Sequence, residues 1–238
     1  MKLILYYIYF ILIAAPLLLS ITILAATLTI VGSALGGGRI FGYWPGAIWG
    51  RLFCILSLVK VKVRGRDNIS RGQSYVFVAN HQGAFDIFSI YGYLGHNFRW
   101  MMKKSLERIP LVGYSCKVSG HIFVDNSRPS AVRTTMQTAE QRLAGGMSVV
   151  VFPEGSRTLD GRMHAFRRGA FTLAVEFGLP VVPITIDGAY RVLRRDSWLL
   201  HPGTIILTIH KPIEAPEGGR HELADLMEKS YKAIESAL

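Results

Sequence analysis

Two residues five positions apart, His81 and Asp86, are the pair in this chain best suited to move a proton. They belong to Asn80-His81-Gln82-Gly83-Ala84-Phe85-Asp86, which follows Tyr75–Ala79, a run whose aromatic and β-branched residues read as a strand. Groups that bind and react in open α/β sheets gather just beyond the carboxyl ends of strands. An imidazole there can take a proton from a hydroxyl. An aspartate that accepts its other ring N–H fixes the tautomer and steadies the imidazolium that forms. A neutral alcohol is a poor nucleophile, and a positioned base contributes roughly 10²–10⁴-fold to its attack. The spacing alone is thin support, because seven His and seven Asp in 238 residues give about 0.2 such pairs by chance.

A second constellation is Val149–Thr158, in which an apolar strand runs into the turn Phe152-Pro153-Glu154-Gly155-Ser156-Arg157. Backbone N–H groups in a tight turn and a guanidinium fork both suit a phosphate. Taken alone, Glu154, Gly155, Ser156 and Arg157 read more readily as an ordinary surface loop than as a phosphate site. Ser156 lies in no G-x-S-x-G, so it is not a nucleophile elbow, and no G-x-x-x-x-G-K-[ST] occurs. Lys103, Lys104, Arg128 and the pair Arg167-Arg168 could add positive charge, although each alone reads as a solvated surface cation. The remaining histidines (His96, His121, His164, His201, His210, His221) fall into no metal-ligand spacing, so no metal is expected. Nucleic-acid motifs are absent as well. Cys54 and Cys116 give no disulfide framework and read as reduced thiols in apolar surroundings.

These groups need a scaffold. Val61–Val63, Tyr75–Ala79, Arg99–Met102, His121–Val124, Val149–Phe152, Val181–Ile186 and Ile205–His210 read as strands. Between them Val132, Met136, Ala139 and Leu143 recur at helical spacing, as do Phe166, Ala170, Leu173 and Phe177, closed by Gly178. His221–Leu238 repeats the pattern. Strands alternating with helices predict one α/β domain over residues 59–238, built on a mixed, largely parallel sheet of about seven strands flanked by helices.

Residues 1–58 read differently. From Leu3 to Gly38 there is no charged residue, and one bilayer crossing needs roughly 20 apolar residues. A cleavable signal peptide has an apolar core of only about 7–15 residues, so a membrane anchor is expected. Pro16, near the middle of the run, should kink or break a helix, which leaves one tilted span or two re-entrant helices. Gly36-Gly37-Gly38 marks a turn, and Phe41–Leu58 suits a helix at the membrane surface or a first core helix. The net charge of +11 beside such an anchor points to an anionic leaflet and an anionic substrate. Arg39, Arg51, Lys60, Lys62, Arg64 and Arg66 follow the apolar run while only Lys2 precedes it, which places the domain on the cytoplasmic face.

The motifs also occur in a recognisable order. Asn-His-x-x-x-x-Asp at 80–86, Phe-Pro-Glu-Gly-Ser-Arg at 152–157 and Val-Pro-Ile at 182–184 resemble the blocks of the glycerolipid acyltransferase family, in particular the 1-acyl-glycerol-3-phosphate acyltransferases. Lys103-Lys104-Ser105-Leu106 with Ile109-Pro110-Leu111-Val112-Gly113, Gly120–Asp125 and Phe166–Phe171 resemble further family segments, so the likeness runs over about residues 60–190. The resemblance implies the fold of that family, with His81 as the base and Asp86 as its orienting partner. Arg157, the 154–156 turn, Lys103, Lys104 and Arg128 would hold a phosphate. A fatty-acyl group would pass from acyl-CoA or acyl-carrier protein to the 2-hydroxyl of 1-acyl-glycerol-3-phosphate in the membrane, with no cofactor. Asn126 stands where the family usually has Arg, which leaves room for another lysolipid or an amino-acid lipid as acceptor. A non-catalytic lipid-binding or tethering protein is the alternative from a different class.

Overall fold

Strands β1 (Val59–Arg64), β2 (Val76–Ala79), β3 (Phe98–Lys103), β4 (Ile122–Val124), β5 (Ser148–Val151), β6 (Val181–Asp187) and β7 (Gly203–Ile209) form one sheet in the order β1-β7-β6-β2-β5-β3-β4. The computed structural model describes the chain apart from residues 1, 126–128, 145 and 217–219. All pairings are parallel except β6 with β7. In the central strand β2, Phe77 lies opposite Val150 of β5 and Val182 of β6. All four β2 residues are fully buried, which is why parallel strands covered on both faces appear in sequence as short unbroken apolar runs.

The pleat divides those runs between two cores. Phe77, Ala79, Val150, Val182, Ile184 and Ile186 face one way; Val76, Val78, Val149 and Val181 face the other. The first core is closed by α4 (Trp44–Leu56), α5 (Phe85–Tyr93) and α9 (Ala189–Val192), and the second by α7 (Pro129–Ala144), α8 (Gly169–Glu176) and α10 (Arg220–Glu235). Helix α6 (Val112–Val118) packs beside the amino-terminal helices. Helices α4 and α5 approach closely because small residues meet. A Cβ on Gly50 would stand 2.9 Å from the Phe88 carbonyl oxygen, and one on Gly92 2.7 Å from the Arg51 nitrogen.

The amino-terminal segment departs from expectation at Pro16. Helix α1 (Lys2–Tyr9) passes through a π-helical turn, Phe10–Ala14, into α2 (Ala15–Gly32) without a break. The wider turn sits immediately before the proline and absorbs the missing N–H and the ring's clash with the preceding turn. A second π turn, Ser33–Gly37, contains Gly36 at φ 88°, and a short α3 (Gly38–Phe41) completes the reversal. Helix α4 then returns antiparallel to α1–α2: the Tyr6 and Tyr9 hydroxyls donate to the Ser57 and Leu56 carbonyls, and the Trp49 indole N–H donates to Thr22 Oγ1. Leu3–Phe41, with a mean hydropathy of 2.5, is long and apolar enough to cross a membrane and is only 11% buried in its most apolar window.

Candidate active site

Parallel strands share an edge, so the carboxyl ends of β2, β5, β3 and β6 open on the same side. His81 lies two residues past β2, and the 152–157 turn begins where the neighbouring β5 ends. Strand order therefore brings the two sequence constellations together.

His81 Nδ1 lies 2.8 Å from Asp86 Oδ2. A carboxylate only accepts, so Nδ1 carries a proton, and in the neutral imidazole Nε2 then has the lone pair. The Asp86 side chain is fully buried and that of His81 is 14% exposed, so the imidazole is at the mouth and its partner is behind it. The same Oδ2 accepts the Gly83 N–H at 2.8 Å, which curls the loop around the carboxylate. Position 83 has no room for a side chain, because a Cβ would stand 2.6 Å from the Leu193 carbonyl oxygen.

The loop is pinned from both flanks. Asn80, buried at the end of β2, uses its side-chain amide like a backbone unit: Nδ2 donates to the Ile186 carbonyl and Oδ1 accepts the Ile186 N–H. From the other side, the His81 N–H donates to Glu154 Oε1 at 2.7 Å, and the His81 carbonyl accepts the Thr158 N–H at 2.9 Å. The imidazole stacks on Phe152, with centroids 3.9 Å apart and planes within 7°. Every movable part of His81 except Nε2 is thus held by the second motif or by Asp86.

Glu154 is buried, with its carboxylate turned inward. Its Oε1 receives the His81 N–H and its Oε2 the His164 N–H, so it ties the 80–86 loop to the 160s loop. Burial pushes its carboxyl above the usual range, and the two N–H groups pull it back. In Glu154→Gln one acceptor is replaced by an NH₂ that faces a donor. We expect a stability loss of about 1–3 kcal/mol and, as His81 shifts, turnover lowered about tenfold or more. Thermal melts and kcat in detergent check this; if both stay at wild-type values, the bridge is dispensable.

Cationic groups flank the turn. Gly155 adopts φ 76°, and a Cβ there would stand 2.9 Å from the Arg167 guanidinium, which lies across the turn. Arg157 is half-buried; its carbonyl accepts from Arg195, and its own guanidinium has no ion pair among the described residues. Ser156 is half-buried beside it. Lys103, at the end of β3 on the same sheet edge, is exposed, whereas Lys104 pairs with Glu107 within its own turn. Arg128 and Asn126 lie outside the described residues. No cluster of three His, Cys, Asp or Glu side chains is placed to hold a metal among the described residues. Asn80, Phe152 and Thr158 stand in the two sequence motifs without a role of their own there, and Arg195 stands in neither; the contacts of Asn80 and Phe152 arise from strand order.

The family model described as Acyltransferase matches residues 60–187. The chain is 32% identical over 177 residues to a chloroplastic 1-acyl-sn-glycerol-3-phosphate acyltransferase of Arabidopsis thaliana, covering 74% of this chain and 49% of that protein. It is 30% identical to the 1-acyl-sn-glycerol-3-phosphate acyltransferase of Pseudomonas aeruginosa, covering 77% and 70%. The chain spans about half the length of the plant and algal relatives it matches. A crystal structure of the 1-acyl-sn-glycerophosphate (LPA) acyltransferase PlsC from Thermotoga maritima superposes with a TM-score of 0.80 at 26% identity, over 99% of this chain and 96% of that one. With a family model spanning more than half its length, this chain belongs to the acyltransferase family.

Proposed function

We propose that the protein transfers a fatty-acyl group from a thioester, acyl-CoA or acyl-carrier protein, to the 2-hydroxyl of 1-acyl-glycerol-3-phosphate, giving phosphatidic acid. The observation that carries this reading is the His81–Asp86 contact, which leaves Nε2 free at the mouth of the site. Nε2 takes the hydroxyl proton as the oxygen attacks the thioester carbonyl. The tetrahedral adduct then collapses, the C–S bond breaks, and the imidazolium returns the proton to the departing thiolate. The product is an ester and a free thiol, with no acyl-enzyme. Relatives named for the same reaction support the acceptor.

The phosphate would lie against Arg157, assisted by Arg167, by Lys103 and by the 155–156 turn, with Lys104 and Arg128 as further candidate cations. Glu154 contributes through the loop it braces. The amino-terminal hairpin, residues 1–58, would hold the domain 59–238 at the bilayer, where the acceptor already resides. The basic residues that follow Leu3–Gly38 favour the cytoplasmic face.

Arg157→Ala tests the acceptor assignment. With lysophosphatidate, the apparent KM should rise about tenfold or more, the loss of a charge-assisted contact of about 1.5–3 kcal/mol. With monoacylglycerol, which lacks the phosphate, KM should stay at the wild-type value. Equal changes for both acceptors would move Arg157 out of phosphate binding.

A further inference from the structure

Between α9 and β7 the chain runs through an irregular stretch, 193–202, rooted in the core by the buried Val192 and Leu200 while its tip is exposed. Val192 and Leu200 are 1% and 6% exposed and belong to the core beneath α4, α5 and the amino-terminal hairpin. Between them Trp198 is 99% exposed and Leu199 58%. The outward tip is built into a closed loop. The His201 N–H donates to the Val192 carbonyl and ties the ends together, and the Leu199 N–H donates to Ser197 Oγ within the tip.

Three facts bear on what this tip could meet. Its buried flanks, Val192 and Leu200, belong to the same core as Tyr6 of α1 and Ala47 of α4, the hairpin whose outer surface exposes Trp44, Ile48 and Ile55. The loop adjoins the His81 site: the Leu193 carbonyl fills the space at Gly83, and Arg195 donates to the Arg157 carbonyl at 3.0 Å. Its charge is basic, with Arg191, Arg194 and Arg195 against Asp196, which lies 3.7 Å from Arg194, while Arg191 meets Asp187. Tryptophan is enriched at membrane–water interfaces, and arginines nearby are drawn to anionic headgroups.

We propose that this loop is a second bilayer contact. Trp198 and Leu199 enter the headgroup region of an anionic leaflet, with Arg194 and Arg195 on its phosphates. The hairpin tethers the molecule, and the loop sets the mouth of the His81 site against the lipid surface. The proposal rests on the reading that the acceptor is a bilayer lipid. It commits to lipid as the occupant because the exposed Trp198 and Leu199 stand close in sequence to Arg194 and Arg195, whose charge is opposite to that of an anionic leaflet, and because the loop is rooted in the core it shares with the hairpin.

Trp198→Ser removes the tip without disturbing packing, since the indole touches almost nothing. With the full chain reconstituted in anionic vesicles, the apparent KM for long-chain acceptor in the bilayer should rise about fivefold or more, while kcat/KM for a short-chain lysophosphatidate dissolved as monomers stays within about twofold. In parallel, Ser197→Cys in a Cys116→Ser background carries an environment-sensitive fluorophore. It should be quenched by a shallow nitroxide lipid and shielded from aqueous iodide. The proposal is overturned if the vesicle KM does not move, if both acceptors lose equally, if only the KM for the thioester donor rises (a carrier site), or if iodide quenches and the nitroxide does not. If the wild type acylates neither acceptor, the proposed function fails, and the quenching still decides the docking.

Discussion

Replacing His81 by alanine is expected to lower turnover about 10²–10⁴-fold while the fold persists. The size follows from what Nε2 does: without a base beside it, the acceptor hydroxyl must attack as a neutral alcohol. The persistence follows from what holds the loop. The residue-81 N–H and carbonyl bind Glu154 and Thr158, and Asn80 binds Ile186, through atoms that the substitution leaves in place. Only the stacking on Phe152 and the Asp86 contact are lost, the stacking being worth about 0.5–1.5 kcal/mol. Thioester-dependent thiol release by purified protein in detergent measures the loss, and near-UV circular dichroism verifies the fold. Undiminished release by a folded variant contradicts the assigned base.

Asp86→Asn carries the second large effect. The wild-type Oδ2 accepts both from His81 Nδ1 and from the Gly83 N–H, while Oδ1 is buried with no partner among the described residues. An asparagine has two ways to fit. If its oxygen replaces Oδ2, the NH₂ occupies the unpartnered place, at a cost of about 1–3 kcal/mol, and the imidazolium loses its counter-charge. If the amide is turned over, its NH₂ donates to Nδ1 and the proton is forced onto Nε2, the wrong tautomer for a base. Either way kcat should fall about 10²–10⁴-fold with acceptor KM little changed. A kcat within about threefold of wild type would show that the carboxylate does not orient the base.

The strands were legible because a sheet covered on both faces needs short apolar runs, and Val76–Ala79, Val149–Val151 and Val181–Ile186 are such runs between turn residues. His81 and Asp86 were legible because their contact is local, closed within a single loop. The opposite holds for what braces them. Phe152 and Glu154 meet His81 only because β5 lies next to β2, and Asn80 finds Ile186 only because β6 lies on the other side. Nothing in the spacing of residues 80 to 186 encodes that neighbourhood. Glu154 illustrates the consequence: its place in Phe-Pro-Glu-Gly-Ser-Arg pointed to the phosphate, whereas its carboxylate points inward to two backbone N–H groups. Pro16 was legible only as an irregularity in the helix. A proline is incompatible with a regular α-turn, but a π turn one step earlier lets the helix continue, and no residue pattern in Phe10–Ala14 announces it.

The most direct test of acyl transfer to a lysophospholipid is a paired product count. Purified full-length protein in mixed micelles is given acyl-CoA with or without lysophosphatidate, and free thiol and phosphatidic acid are measured together. Thiol should appear only when the acceptor is present and match phosphatidic acid one for one. Thiol released at the same rate without acceptor, or with no phosphatidic acid formed, would contradict direct attack by the acceptor hydroxyl and with it the proposed reaction.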